Sequence, residues 1–349
     1  MAGWWRNGAL ALVAALAVCG PRQASASALA LNGTGTGMGF TLATVVGGMP
    51  AGGYYDYTLV SVALNASGNI VAPLTSGFDS YTYANADNQT LYGYLSNAGT
   101  AVPGGMAITA VGGQLYGSAY GGGYYKLNQD GTVQSVLSLP GLVAQYGMWT
   151  NPANGHLISS SFQGLVDIDP VAQSFTVVDP LSGTFADGVT VTPDGQVADV
   201  ADFPNDKVLG FSLVNGVSAL YGPMTYGQQV FATAALGHGS DGMGVLAGTC
   251  ALAGQIVVNN NDGTVGLIDP LAATETTIAS GGNRGDYAGL DTAGGTLFLS
   301  QNDSLMRITA PAGCSIGSNP TPEPSGLALL AAGLPMLGML RRRREVFVS

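Results

Sequence analysis

One short phrase recurs along this chain and limits what it can fold into. In its clearest form, at residues 192–200, it reads Thr-Pro-Asp-Gly-Gln-Val-Ala-Asp-Val. That is a turn ending in glycine, one small polar residue, then an aliphatic strand. Variants are Ser67-Gly68-Asn69-Ile70-Val71, Gly112-Gly113-Gln114-Leu115-Tyr116 and Asn154-Gly155-His156-Leu157-Ile158. Ala253-Gly254-Gln255-Ile256-Val257 and Gly294-Gly295-Thr296-Leu297-Phe298 complete the set. The marker glycines 68, 113, 155, 195, 254 and 295 are spaced by 45, 42, 40, 59 and 41 residues.

Each marker is followed by a second strand ending in a turn former. Examples are Leu127-Asn128-Gln129-Asp130-Gly131, Asp167-Ile168-Asp169-Pro170 and Leu267-Ile268-Asp269-Pro270. Gly there tolerates positive φ and Pro presets φ. With an apolar strand before each marker and another after each second turn, a unit holds four short strands. Units of about 40 residues with four strands each predict an all-β, six-bladed β-propeller of four-stranded antiparallel blades. The repeats fall at 54–96, 104–141, 145–182, 186–223 and 240–280, with a sixth from 287 to 309. The sixth has only three evident strands. An unclosed blade leaves an edge open to pairing with other chains, so the strand at 40–46 is predicted to supply its fourth. The long fourth spacing places an insertion at 221–240.

Composition narrows the partners. Between residues 28 and 320 four bases stand against 19 acids, a net charge of −15. Nucleic-acid affinity rests on Lys and Arg neutralising phosphates, so a nucleic-acid partner is excluded. Of the three cysteines, Cys19 falls in the leader. Cys250 and Cys314 remain, and a bridge between them would tie the end of the body to the fifth repeat; spacing alone leaves this open.

The two ends read as addresses. Residues 1–28 predict a secretory signal peptide: Arg6, an apolar stretch at 9–18 and small residues before Ala26 or Ala28. The propeller body is expected over 29–315, followed by a linker at 316–321. The C-terminal segment, 322–349, opens with Pro322-Glu323-Pro324. An apolar run at 326–340 follows, then Arg341-Arg342-Arg343-Arg344. The run predicts a short transmembrane helix, with the arginines held on the cytoplasmic side. This order of motifs resembles the PEP-CTERM sorting segment of Gram-negative bacteria; a plain stop-transfer anchor is the alternative. The resemblance implies recognition by an exosortase, transient anchoring in the inner membrane and delivery to the cell surface or extracellular matrix. Its producers typically make exopolysaccharide.

Chemistry is sparse. There is no Gly-x-Ser-x-Gly elbow, no His-Glu-x-x-His and no paired-cysteine motif. His156 and His238 read as polar residues in turn regions. The best candidates are acids at repeat starts: Asp187 and Asp241, each before a glycine, and Asp286. In a propeller such positions approach one mouth of the central channel, where carboxylates suit Ca²⁺; turn and strand-end roles are the alternative. The Asp187-Gly188-Val189-Thr190-Val191-Thr192-Pro193-Asp194-Gly195 run resembles the start of NHL and SMP-30-like propeller repeats. That family's lactonases hold a divalent metal at this mouth with Glu, Asn and Asp, and no matching Glu stands in the first repeat. The expected function is a binding or structural module at the cell surface or in the matrix, toward exopolysaccharide. The alternative is a metal-dependent, lactonase-like hydrolase.

Overall fold

The computed structural model describes residues 29–49, 59, 61–73, 79–100, 105–182 and 184–317. The signal peptide, the Pro-Glu-Pro motif, the apolar run and the arginine block lie outside the described residues. Among the described residues no helix is long and apolar enough to cross a membrane.

The protein is a six-bladed β-propeller. The inner strands are Ala63–Leu64, Gly105–Val111, Ala144–Thr150, Ala186–Val191, Ser240–Gly248 and Gly285–Asp291. Each contacts the next and the last contacts the first, so they close a ring. Every blade then runs outward through antiparallel neighbours. Each marker glycine lies in the turn between a blade's first and second strands, and all six have positive φ. This is the conformation that made glycine the signal.

Burial follows position in the blade. In blade four the inner strand and its neighbour Val197–Asp202 are buried at every residue. The outer strand of blade three, Ser174–Asp179, is mostly exposed. Strands covered on both faces read as continuous apolar or small-residue runs, whereas outer strands alternate.

The ring closes through the N-terminal strand. Thr41–Gly47 pairs antiparallel with Ser304–Thr309, with Thr41 opposite Thr309 and Val46 opposite Leu305. The last blade thus takes its fourth strand from the start of the body. Arg307 fastens the junction, with Nη1 2.6 Å from Asp87 Oδ1 in a blade-one loop. Upstream, Ala30–Leu31 adds a strand to the outer edge of blade five. The helix Gly33–Met38 comes between. Its Gly-Thr-Gly-Thr-Gly-Met sequence has poor helix propensity. Its N-cap Asn32 accepts from the Gly35 amide at 2.9 Å. The side chain of Asn32 also donates to the Thr277 carbonyl.

Two boundaries differ from expectation. The insertion starts earlier and ends sooner than the expected 221–240. That stretch holds the fourth strand of blade four, Gln229–Ala232, which pairs with Lys207–Ser212. The extra residues form a hairpin of Gly216–Ser218 and Gly222–Met224 ahead of it. Phe231 explains the choice: it is buried, and its ring stacks on Tyr221 at 5.8 Å. Nor does the linker begin at 316, because Cys314–Ile316 pairs with the end of the blade-five inner strand. Ile316 is fully buried opposite Leu246, and Cys250 and Cys314 form a disulfide with a Cα separation of 5.3 Å.

Candidate functional site

The inner strands of blades three to six share one irregularity near their start. The register slips between Ala144 and Met148, Ala186 and Val189, Ser240 and Met243, and Gly285 and Ala288. A bulge bends a strand and re-aims a side chain. Among the residues inside the slips are Tyr146, Asp187, Asp241 and Asp286, so the bulges bring the three predicted acids together at one end of the channel. Glycines make the approach possible. A methyl group on Gly147 would overlap the Asp187 carbonyl oxygen, one on Gly188 that of Asp241, and one on Gly242 would sit 2.7 Å from that of Asp286.

The three carboxyls are buried and affect one another. Burial, then the charge of Asp286, pushes Asp187 up to about 7. Burial, then the charges of Asp187 and Asp286, holds Asp241 well above the ordinary carboxylate range. Asp286 is also raised by burial, with the Arg284 guanidinium opposing. Burial and the neighbouring carboxylates thus favour the protonated form of Asp241, and Arg284 Nη1 lies 3.2 Å from Asp286 Oδ2. Among the described residues no group of three or more His, Cys, Asp or Glu side chains is disposed to hold a metal ion. Buried carboxyls with raised values and a built-in guanidinium fit a neutralised cluster better than a Ca²⁺ cage, which wants 6–8 oxygens.

Around this floor stands an aromatic ledge. Tyr120 and Phe162 follow the second strands of blades two and three, and Phe185 precedes the inner strand of blade four. The Tyr120 and Tyr146 rings stack at 4.5 Å, Phe162 lies 5.7 Å from Tyr120, and Phe185 lies 5.1 Å from Tyr146. Tyr120 and Phe162 are 44% and 53% exposed. Backbone bonds fix the turns that carry them: Gly121 donates to Ala144 at 3.0 Å, Phe162 to Val143 at 2.9 Å, and Phe203 to Phe185 at 3.1 Å. In blades five and six the residues after the second strand are Asn261 and Asn302. The mouth thus has an aromatic side and an amide and carboxyl side.

Sequence reading found the acids but missed the ledge, Arg284 and Asn259. The signal for the ledge was present: Tyr120, Phe162 and Phe203 each stand one residue past a second strand. Asn259 lies in the second strand of blade five, Ile256–Asn260. Its buried amide donates to the Asp286 carbonyl at 3.0 Å and the Ser300 carbonyl at 2.8 Å, joining blades five and six. The histidines lie elsewhere: His156 Nδ1 is 2.6 Å from Asp167, and His238 Nδ1 is 2.6 Å from Asp262.

The buried acids set a pH dependence. Asp187, Asp241, Asp286 and the buried Asp199 all have folded values above the ordinary 3.8. Stability from such groups is full below the unfolded value and is lost as pH rises through the folded one. Asp169 and Asp262 are shifted down, so their contribution fades only as pH falls below 3.8. The thermal midpoint is therefore expected to fall from about pH 5 to about pH 8, and Asp187→Asn to flatten the profile. A midpoint that rises over that interval would contradict the cluster as described.

No protein-family model matches the sequence, and no curated protein matches it. Solved structures do. A gluconolactonase from Xanthomonas campestris is similar with a TM-score of 0.61 at 13% identity, over 84% of this chain and 98% of that one. An auxiliary nutrient binding protein from Bacteroides thetaiotaomicron gives a TM-score of 0.52 at 13% identity, over 77% of this chain and 76% of that one. At such identities the likeness is one of architecture: this chain is a six-bladed β-propeller.

Proposed function

We propose that this protein is an exported carbohydrate-binding propeller. Its 322–349 segment carries it through exosortase sorting to the cell surface or matrix, with transient anchoring in the inner membrane, and its mouth holds extracellular polysaccharide. The observation that carries the binding reading is the paired character of the mouth. Exposed Tyr120 and Phe162, with Tyr120 stacked on the half-buried Tyr146, stand beside Asp187, Asp286 and Arg284. Sugar rings present an apolar face and a polar rim, and this site presents a matching surface for each.

The test is co-sedimentation of residues 29–320 with the host's extracellular polysaccharide, with Ca²⁺ and with a chelator. Binding is expected in both conditions. Tyr120→Ala with Phe162→Ala should weaken it at least about tenfold, since buried aromatic anchors dominate such contacts. Wild-type affinity in that variant, or no sedimentation in either condition, would overturn the reading.

One observation favours a second reading as a lactonase-like hydrolase: a carboxyl at about 7, like Asp187, exchanges protons at neutral pH. Asp187→Asn separates the two. Loss of lactone hydrolysis with polysaccharide binding retained would favour the enzyme.

A further inference from the structure

At the opposite end of the blades from the mouth lies a second concavity, created by the hairpin of blade four. Its Leu220 crosses the seam to blade five, where a Cβ added to Gly254 would lie 3.2 Å from the leucine side chain. Between hairpin and seam is a cleft of about 400 Å³, within the range of small-ligand sites. Its walls are largely apolar, with Val197, Leu220, Val245 and Leu246, and the one charged residue lining it is Asp194.

Behind this wall is Asp199. It lies two residues beyond Val197 in the same strand, so both project from the same face. It is fully buried, and neither carboxylate oxygen has a hydrogen-bond partner. Burial, then the carboxyls of Asp199, Asp194 and Asp269, raise the hydroxyl of Tyr221, which also lines the cleft. A buried carboxyl without a partner is destabilising. Nothing in the apolar seam requires an acid at this position. Apolar walls, acids at rim and base, and no cation in the lining specify the complement.

We infer that this cleft binds an alkylammonium ligand, a small organic cation whose apolar chain lies along Leu220 and Leu246 and whose ammonium is received by Asp194 and, past Tyr221, by Asp199. The site is separate from the mouth and does not depend on the carbohydrate reading.

The probe is n-hexylamine at neutral pH, titrated calorimetrically into residues 29–320, which form the closed, disulfide-bonded ring. Hexanol and hexanoate at equal ionic strength are the uncharged and anionic controls. Hexylammonium is expected to bind and to raise the thermal midpoint, and the controls to do neither. Asp199→Asn and Asp194→Asn should each weaken binding at least about tenfold. Equal binding of hexanol, or unchanged affinity in both variants, would overturn the inference. Should Asp199→Asn fold poorly, Leu220→Lys supplies a tethered ammonium at the rim; it should abolish hexylamine binding, and retained binding would count against the site. Tyr120→Ala with Phe162→Ala should leave hexylamine affinity unchanged, so failure here and failure at the mouth are distinguishable.

Discussion

Alanine at Gly188 is expected to destabilise the protein by about 3 kcal/mol or more, at the upper end for overpacking. The added methyl would meet the carbonyl oxygen and carbon of Asp241, which are backbone atoms of the next blade. A side chain can turn away from such an overlap, but an inner strand held in a closed ring can yield only by moving its blade. The cost should therefore appear as lost stability together with a disturbed carboxyl cluster. Gly216→Ala is the control, because the nearest atom to its added Cβ is a Val214 methyl at 3.9 Å. Its effect should stay within about 0.5 kcal/mol. Denaturant unfolding of both variants decides the matter. A wild-type midpoint for Gly188→Ala would show that the strands are not packed at this distance.

Removing the Cys250–Cys314 disulfide should have an effect of similar size. The bridge spans a sequence separation of 64 residues, for which the chain-entropy account gives about 4 kcal/mol. It also holds the strand Cys314–Ile316 against Leu246–Gly248. Ile316, fully buried there, packs with the main core cluster. That strand is the last described element of the chain, so its loss would uncover the end of blade five. Urea unfolding with and without reductant, and of Cys250→Ser with Cys314→Ser, is the measurement. A loss below about 1 kcal/mol would mean that strand pairing alone holds the chain end.

The repeat was legible because each blade spends a glycine of positive φ at the same turn, and local backbone geometry is written in single residues. The six marker glycines, the strands beside them and the missing fourth strand of the last blade all follow from that. The hairpin of blade four was misplaced because Gly216 and Gly222 can serve a tight turn or a loop equally well. Burial of Phe231 against Gly210 decides which segment becomes the fourth strand. Residues 33–38, Gly-Thr-Gly-Thr-Gly-Met, carry no helix signal of their own. They form a helix because Asn32 caps it and Gly35 packs against the backbone of Ile278.

The mouth divides in the same way. The sequence by itself determined that Asp187, Asp241 and Asp286 occupy equivalent places at the starts of inner strands, since equivalence is a matter of period. Only the tertiary structure decided what they are to one another. The bulges and the ring of glycines set the three carboxyls close enough for their charges to raise one another, and Arg284 enters from a neighbouring turn. Stacking of Tyr120, Tyr146, Phe162 and Phe185 likewise joins side chains from three blades across distances no local pattern encodes. The burial of Asp199 depends on a hairpin that crosses to the next blade. Turns and periods are local properties of the chain. Desolvation, charge proximity and ring stacking depend on which distant residues closure of the propeller brings together.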